Sequence, residues 1–333
     1  MPNRAIRVGR DAPLFDVASF ARQGPTGRVR LSPSQVEQIA RTVARAPEVI
    51  IKVSRGATSI GGAVAHFRYI ARNGKLEIET DEGERLKGDV GKRIVADWDL
   101  ESVEAHGRGP YRGKTGPKPA KLVHKVILSM PKGTPPERLL LASRDFARDE
   151  FALKHRYALV LHTDQDHPHV HLVVKAVSEE GKRLNIRKAT LRKWRGLFAQ
   201  HLRAHGIAAN ATERSVRGQT RSGFKDGIYR ASLRGDSRYL RERAARIARE
   251  LRNGCLKPST GKAKLLETRR DVIAGWNAAA DALLAAGQLV LAEKIWGFIG
   301  AMPRPLTTDE QLAGRLEERT RTREREREEE RTR

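Results

Sequence analysis

Two short apolar, β-branched runs stand almost back to back in the middle of the chain, Tyr157–His162 (YALVLH) and Val170–Val177 (VHLVVKAV). A loop this tight makes them neighbours, so the sheet they begin is antiparallel. The other apolar runs must fit around that pair. Glu48–Val53 (EVIIKV) and Lys121–Met130 (KLVHKVILSM) read as two more strands, and either Arg183–Arg187 or Leu76–Thr80 supplies a fifth. Helices are expected over Ser32–Arg45, Ile60–Arg72, Pro136–Leu153, Thr190–His205 and Ser237–Arg252, and as a pair meeting near Gly287 within Asp271–Gly300. The expected fold is α+β: a central antiparallel sheet of about five strands packed with helices, then a helical, basic C-terminal region. Gly107–Pro119 (GRGPYRGKTGPKP) is the most loop-like stretch.

Charge narrows the partners. The chain carries 65 Lys and Arg against 40 Asp and Glu, a formal +25, and a field of that sign recruits polyanions, nucleic acid above all. Residues 181–252 alone hold 20 basic against 5 acidic side chains, whereas the tail Arg315–Arg333 has 8 Arg and 7 Glu and is nearly neutral. The polyanion footprint is therefore expected after residue 180, not on the tail. A single cysteine, Cys255, excludes a disulfide framework or a multi-thiolate zinc site within one chain. The longest apolar stretch, Ala282–Ala292, is too short to cross a membrane and no secretory signal opens the sequence, so no membrane insertion and a cytoplasmic location are expected.

Four of the ten histidines fall in His162-Thr-Asp-Gln-Asp-His-Pro-His-Val-His171. His169 and His171 are two apart on a strand and so share a face, and a loop folding back at Pro168 brings His162 beside them. Three imidazoles that leave coordination positions open make a catalytic rather than a closed structural metal site. Asp164 or Asp166 would orient an imidazole through its second nitrogen or act as a base. His167 stays in the loop. On the helix Ile60–Arg72, the apolar positions Ile60, Val64, Phe67 and Ala71 form one stripe, and Tyr69 projects on the opposite face flanked by Arg68 and Arg72. By itself that describes an ordinary surface tyrosine as readily as a group that reaches a phosphate.

These strings resemble a known family. HTDQDHPHVHLVV is similar to the third motif of the conjugative and mobilization relaxases, the HUH-type single-strand endonucleases, and nearest to the T-DNA border-nicking and P-type plasmid relaxases. FRYIARNGKLEIE resembles their first motif, and VILSMPKGT, more weakly, their second. The resemblance covers roughly residues 48–210. It implies an HUH-type sheet of five strands, Mg²⁺ or Mn²⁺ held by His162, His169 and His171, Tyr69 as nucleophile, and Ser129 holding DNA beside the nick. The implied reaction is attack by Tyr69 on a phosphodiester at a plasmid transfer origin, leaving a 3′-hydroxyl and a 5′-phosphotyrosyl link. A phenol, whose ordinary pKa is near 10, needs a metal, a base or local positive charge to do this at neutral pH.

DNA would be held by Arg68, Arg72, Arg187, Lys188, Arg192 and Lys193. The implied partners are single-stranded origin DNA, relaxosome accessory proteins and a type IV secretion coupling protein. The expected layout is an N-terminal extension over 1–46, a relaxase domain over 47–212, a basic helical linker over 213–262, a helical hairpin over 263–304 and a charged tail over 305–333. Arg315, Arg323, Arg325 and Arg327 resemble spaced-arginine export signals, so the protein would travel with bound DNA to a recipient cell. Two other classes compete: a non-catalytic basic DNA-binding accessory protein, and a metal-dependent nuclease without a covalent intermediate. A nucleotide-driven motor is disfavoured, because Gly-Lys-Thr at 113–115 lacks the phosphate-loop spacing and a preceding strand.

Overall fold

The computed structural model describes residues 17, 31–107, 120–220, 226–254 and 256–331. Tyr111, most of the Gly/Pro stretch 107–119 and Cys255 lie outside the described residues. The chain falls into two compact units, one over Glu37–Ala211 and one mainly over Thr212–Arg333.

The first unit is an α+β layer structure built on a six-stranded sheet. Its strands are β1 (Ile50–Ala57), β2 (Ile78–Thr80), β3 (Arg85–Leu86), β4 (Val123–Ser129), β5 (Tyr157–His162) and β6 (His169–Lys175), in the order β1-β4-β6-β5-β2-β3. Every pairing is antiparallel. Leu76–Thr80 thus supplies the fifth strand of the expected sheet, with a short sixth beyond it, while Arg183 makes only an isolated bridge to Val177.

Alternation along the strands sends side chains to two cores. On one face Val126, Leu128, Leu159, Leu172 and Val174 pack under α5 (Pro136–Phe151) and α6 (Lys188–Ala204), around Phe146, Phe151, Trp194 and Phe198. Trp194 is fully buried with its ring 5.3 Å from that of Phe151, so it belongs to the core and is not a platform for a base. On the other face Val123, Ala158, Val160 and Val173 pack under α2 (Ile60–Ile70), α3 (Gly91–Asp97) and α4 (Leu100–Gly107), which bring Phe67, Ile70, Ile94, Trp98 and Leu100. Each large apolar side chain buried here contributes about 1.5–3 kcal/mol. Before the sheet, α1 (Pro33–Val43) starts where Ser32 accepts from the Gln35 amide, and Thr42 then receives the Asn210 side chain at 2.9 Å.

The regular elements described over residues 212–331 are all helices: α7 (Asp226–Leu233), α8 (Arg238–Arg252), α9 (Lys262–Ala285), α10 (Leu289–Gly300) and α11 (Thr308–Arg331). The turn between α9 and α10 uses Gly287 at φ +76°, a left-handed conformation that glycine adopts without strain. Trp276 and Phe298 then meet across the hairpin with ring centroids 5.3 Å apart. Asp309 at the start of α11 pairs with Arg243 and Arg246 of α8, so part of this segment's basic charge is neutralised internally. No helix among the described residues is long and apolar enough to cross a membrane.

Candidate active site

Strands β5 and β6 pair so that His162 stands opposite His169 and Val160 opposite His171. Because side chains alternate, all three imidazoles emerge on the α2 face of the sheet. Ring centroids lie 4.4 Å apart for His162 and His171, 5.1 Å for His162 and His169, and 5.2 Å for His169 and His171. Their donor nitrogens all fall within 4.8 Å of one another, and all three side chains are buried.

Backbone carbonyls set the tautomers. His162 Nε2 lies 2.7 Å from the Ile70 carbonyl, which only accepts, so Nε2 carries the proton and Nδ1 keeps its lone pair. His169 Nδ1 donates to the His167 carbonyl at 3.1 Å, which leaves its Nε2 with the lone pair. This is the outer-shell arrangement that orients metal-binding histidines. Burial, reinforced by the other two imidazoles, His66 and Arg72, pushes the His171 pKa down to about 3. Burial also lowers that of His162, against the opposing pull of its bond to Ile70. Metal binding needs neutral imidazoles, so the donor set fits a divalent ion.

The helix α2 lies over the same face. Ser59 caps its first turn by accepting from the Gly62 amide, and Ala63, Phe67 and Ile70 turn inward. The buried stripe is thus rotated slightly from the expected one, with Ile60 and Val64 only half-buried. Tyr69 remains on the outer side as expected, 58% exposed, with its ring 6.3 Å from that of His171.

Arg72, Asn73 and Gly74 follow with φ of +51°, +55° and +84°, a left-handed run that costs roughly 1–2 kcal/mol for each residue bearing a Cβ. A Cβ at Gly74 would lie 2.7 Å from the Gly88 backbone, so only glycine closes this turn. The turn folds the Arg72 guanidinium back over the Tyr69 ring, 5.2 Å from its centroid. The same guanidinium donates to His162 Nδ1 at 3.1 Å and to Asp164 at 2.5 Å. Desolvation opposes its charge, yet hydrogen bonds to Tyr69 and Asp164 raise its pKa above the ordinary value.

The two aspartates that the sequence left equivalent are separated here. Asp164 Oδ1 is 3.9 Å from His162 Nδ1, whereas Asp166 is exposed and faces Lys132 at 3.6 Å. Desolvation works against ionisation of Asp164, but the hydrogen bond and charge of Arg72 together outweigh it and hold the carboxyl below its usual range. That favours an orienting role over a basic one. Ser129 sits opposite His169 on β4, and its hydroxyl lies 3.4 Å from the Pro168 carbonyl in the loop that delivers the histidines. Arg68 stays on α2 beside the site, paired with Asp89 at 2.9 Å.

Arg187, Lys188, Arg192 and Lys193 are not brought to the histidines. They lie at the start of α6, which packs on the opposite face of the sheet, and Lys193 is paired there with Glu150.

Sequence reasoning missed His66. It lies three residues before Tyr69, one helical turn away on the same side, and that spacing was the available signal. Its ring stacks on Tyr69 at 6.3 Å and meets His171 edge-on at 6.3 Å, so the three centroids form a nearly equilateral triangle. Burial, then the charge of Lys125, lowers its pKa to about 4.

These depressed values carry a stability prediction. His66, His171 and the buried His124 titrate at about 4, 3 and 4, below the ordinary imidazole value of 6.5. As pH falls through 6.5 the unfolded chain therefore takes up protons first. Stability is fully present above that pH and declines toward pH 4, each group adding a slope of up to about 1.4 kcal/mol per pH unit. Urea midpoints measured in chelator should fall steadily between pH 7 and pH 5; a flat midpoint would contradict the burial assigned to these rings.

Comparison with known proteins agrees with this geometry. The family model "Relaxase: MobA/VirD2-like, nuclease domain" matches residues 86–207, which include Ser129 and the three histidines and begin after Tyr69. The T-DNA border endonuclease VirD2 of Agrobacterium fabrum is 25% identical over 214 residues, covering 58% of this chain and 46% of that protein. Its counterpart in Rhizobium radiobacter is 26% identical over 186 residues, covering 51% and 43%. The matched segments thus span under half the length of these relatives. A solved structure described as "Molecular Basis of Vancomycin Resistance Transfer in Staphylococcus aureus" covers 50% of this chain and 99% of its own, at 14% identity and a TM-score of 0.33. The segment 86–207, which carries the three histidines, is thus similar to the nuclease domain of the MobA/VirD2-like relaxases.

Proposed function

We propose that the protein nicks one strand of DNA at a transfer origin by tyrosine transesterification, and that residues 47–212 carry this reaction. The observation that carries the reading is an exposed phenol, Tyr69, held 6.3 Å from His171 on the face where three imidazoles converge. The relatives' name, T-DNA border endonuclease, points the same way. In the proposed step, Tyr69 Oη forms a bond to the scissile phosphorus and the phosphorus–O3′ bond breaks. The phenolic proton passes to solvent, and the departing 3′-oxygen takes up a proton to become a free hydroxyl. The product is a 5′-phosphotyrosyl link, whose reversal reseals a strand.

Arg72 serves both partners. Its guanidinium lies over the Tyr69 ring and beside His162, where it favours a phenolate and an incoming phosphate alike. Asp164 fixes Arg72, the His167 carbonyl leaves His169 Nε2 open to a metal, and His162 Nδ1 becomes a ligand once the Arg72 guanidinium moves from it to the incoming phosphate. A divalent cation bound to His162, His169 and His171 would polarise the scissile phosphate as a Lewis acid. Three imidazole nitrogens suit Mn²⁺ better than Mg²⁺, which prefers oxygen donors.

The test uses a degenerate pool of single-stranded oligonucleotides with Mn²⁺ or Mg²⁺. The expected products are a free 3′-hydroxyl end and a blocked 5′ end, both lost with chelator. Cleavage leaving a free 5′-phosphate would contradict the reading.

We further propose that origin DNA, accessory proteins and a type IV coupling protein are its partners, and that the C-terminal arginines act in export. Asp309 and Glu310 anchor α11 to Arg243, Arg246 and Lys262, so a chain ending at Leu316 keeps those contacts and loses Arg323, Arg325 and Arg327. It should nick normally in vitro and fail in DNA transfer between cells. Full transfer by that chain would refute the export role.

A further inference from the structure

The cations at the start of α6 face away from the histidines, so the charge that meets a substrate strand at the site must come from elsewhere. The strand register shows where. On the histidine-bearing face, cross-strand rows run Ile50–Ser129–His169–His162, Lys52–Ile127–His171–Val160 and Ser54–Lys125–Val173–Ala158. The intervening residues, Ile51, Val53, Val126 and Leu128, point into the core under α5 and α6.

Among the described residues, helices cover only one end of this face. Ala57 and Val123 are buried in the cluster under α2, whereas Lys52 and Ser54 are exposed, Lys125 and Ile127 half-buried, and Ile50 is 39% exposed. Among the described residues neither Lys52 nor Lys125 is paired with a carboxylate, unlike Lys193 with Glu150 or Lys175 with Glu179. Lys125 is close enough for its charge to be felt at His66, which itself leans on Tyr69.

We propose that this open half of the sheet, over β1 and β4, is the track along which a single DNA strand approaches the nick, with Lys52 and Lys125 contacting its phosphates and Ile50 and Ile127 supporting its bases. The inference rests on the reading of the site as acting on DNA. The surface is two strands wide, cationic and apolar by turns, which suits a splayed strand whose backbone and bases need different partners. Two strand spacings, roughly 10 Å, separate the His171 position from Lys52, so Lys52 holds a neighbouring phosphate and not the one at the imidazoles. Phosphate contacts of this kind position the strand without reading its sequence.

The test is fluorescence anisotropy of the full chain with a labelled oligothymidylate, titrated over a range of salt concentrations with chelator present. The double variant Lys52→Ala/Lys125→Ala should bind roughly tenfold more weakly, and the slope of log affinity against log salt should shrink by about 1.4, or 0.7 for each lost contact. Lys52→Glu alone tests the exposed position without touching the half-buried one, and should weaken binding further than Lys52→Ala. Lys182→Ala, a change of the same charge in the loop after β6, should leave the slope unaltered. Wild-type binding with an unchanged slope in the Lys52 and Lys125 variants would overturn the track while leaving the nicking reading intact. A wild-type chain without affinity for single-stranded DNA would overturn both.

Discussion

Replacing Tyr69 with Phe should abolish strand cleavage and any covalent product while leaving single-stranded DNA affinity and thermal stability unchanged. Tyr69 is exposed, so loss of its hydroxyl removes no buried hydrogen bond. A phenylalanine ring can still lie under Arg72 and beside His66. Only the nucleophilic oxygen is missing, and removing a nucleophile typically costs about 10⁴-fold or more in rate. Within the first unit no other described tyrosine is placed to substitute, because Tyr157 is buried in β5 with its pKa raised to about 12, chiefly by that burial. Single-turnover cleavage and a denaturing gel decide the matter. Undiminished cleavage in Tyr69→Phe would mean that water is the nucleophile and the histidine cluster a simple nuclease centre.

His169→Ala or His171→Ala should lower cleavage by at least about 100-fold, the effect expected when a metal ligand and not merely its outer-shell partner is lost. Mn²⁺ affinity, followed by calorimetry, should fall with it. DNA affinity should hold, because the surrounding cations Arg72, Lys52 and Lys125 are untouched. The rings are buried, so folding is checked by circular dichroism. DNA binding lost together with the metal in a folded variant would show that the cluster maintains the structure and does not act on the phosphate.

The parts of the site governed by local periodicity are those readable from the chain. The two-residue repeat puts His169 and His171 on one face, and the short loop puts His162 opposite His169. The helix rotation leaves Tyr69 outside the core. Non-local relations were not readable. Thr190–His205 is evidently amphipathic, but nothing in its residues says which face of the sheet Trp194, Leu197 and Phe198 will cover. Summed charge therefore directed attention to α6, and the structure turns those cations away from the histidines. Asp164 and Asp166 differ only through the path of their loop and through Arg72, whose reach depends on the left-handed turn at 72–74. Ile94, Val95, Trp98 and Leu100 were hidden in a polar stretch, because α3 and α4 are too short to display a period.

The central claim is that Tyr69 and the histidine cluster form one reaction centre. Its most direct test is to incubate the full-length protein with a degenerate pool of single-stranded oligonucleotides and Mn²⁺, denature the mixture, digest it and map the modified peptide by mass spectrometry. The account predicts a nucleotide linked through phosphate to Tyr69, absent with chelator and in His171→Ala. Cleaved strands with no protein-bound nucleotide, or a nucleotide on any other residue, would contradict it.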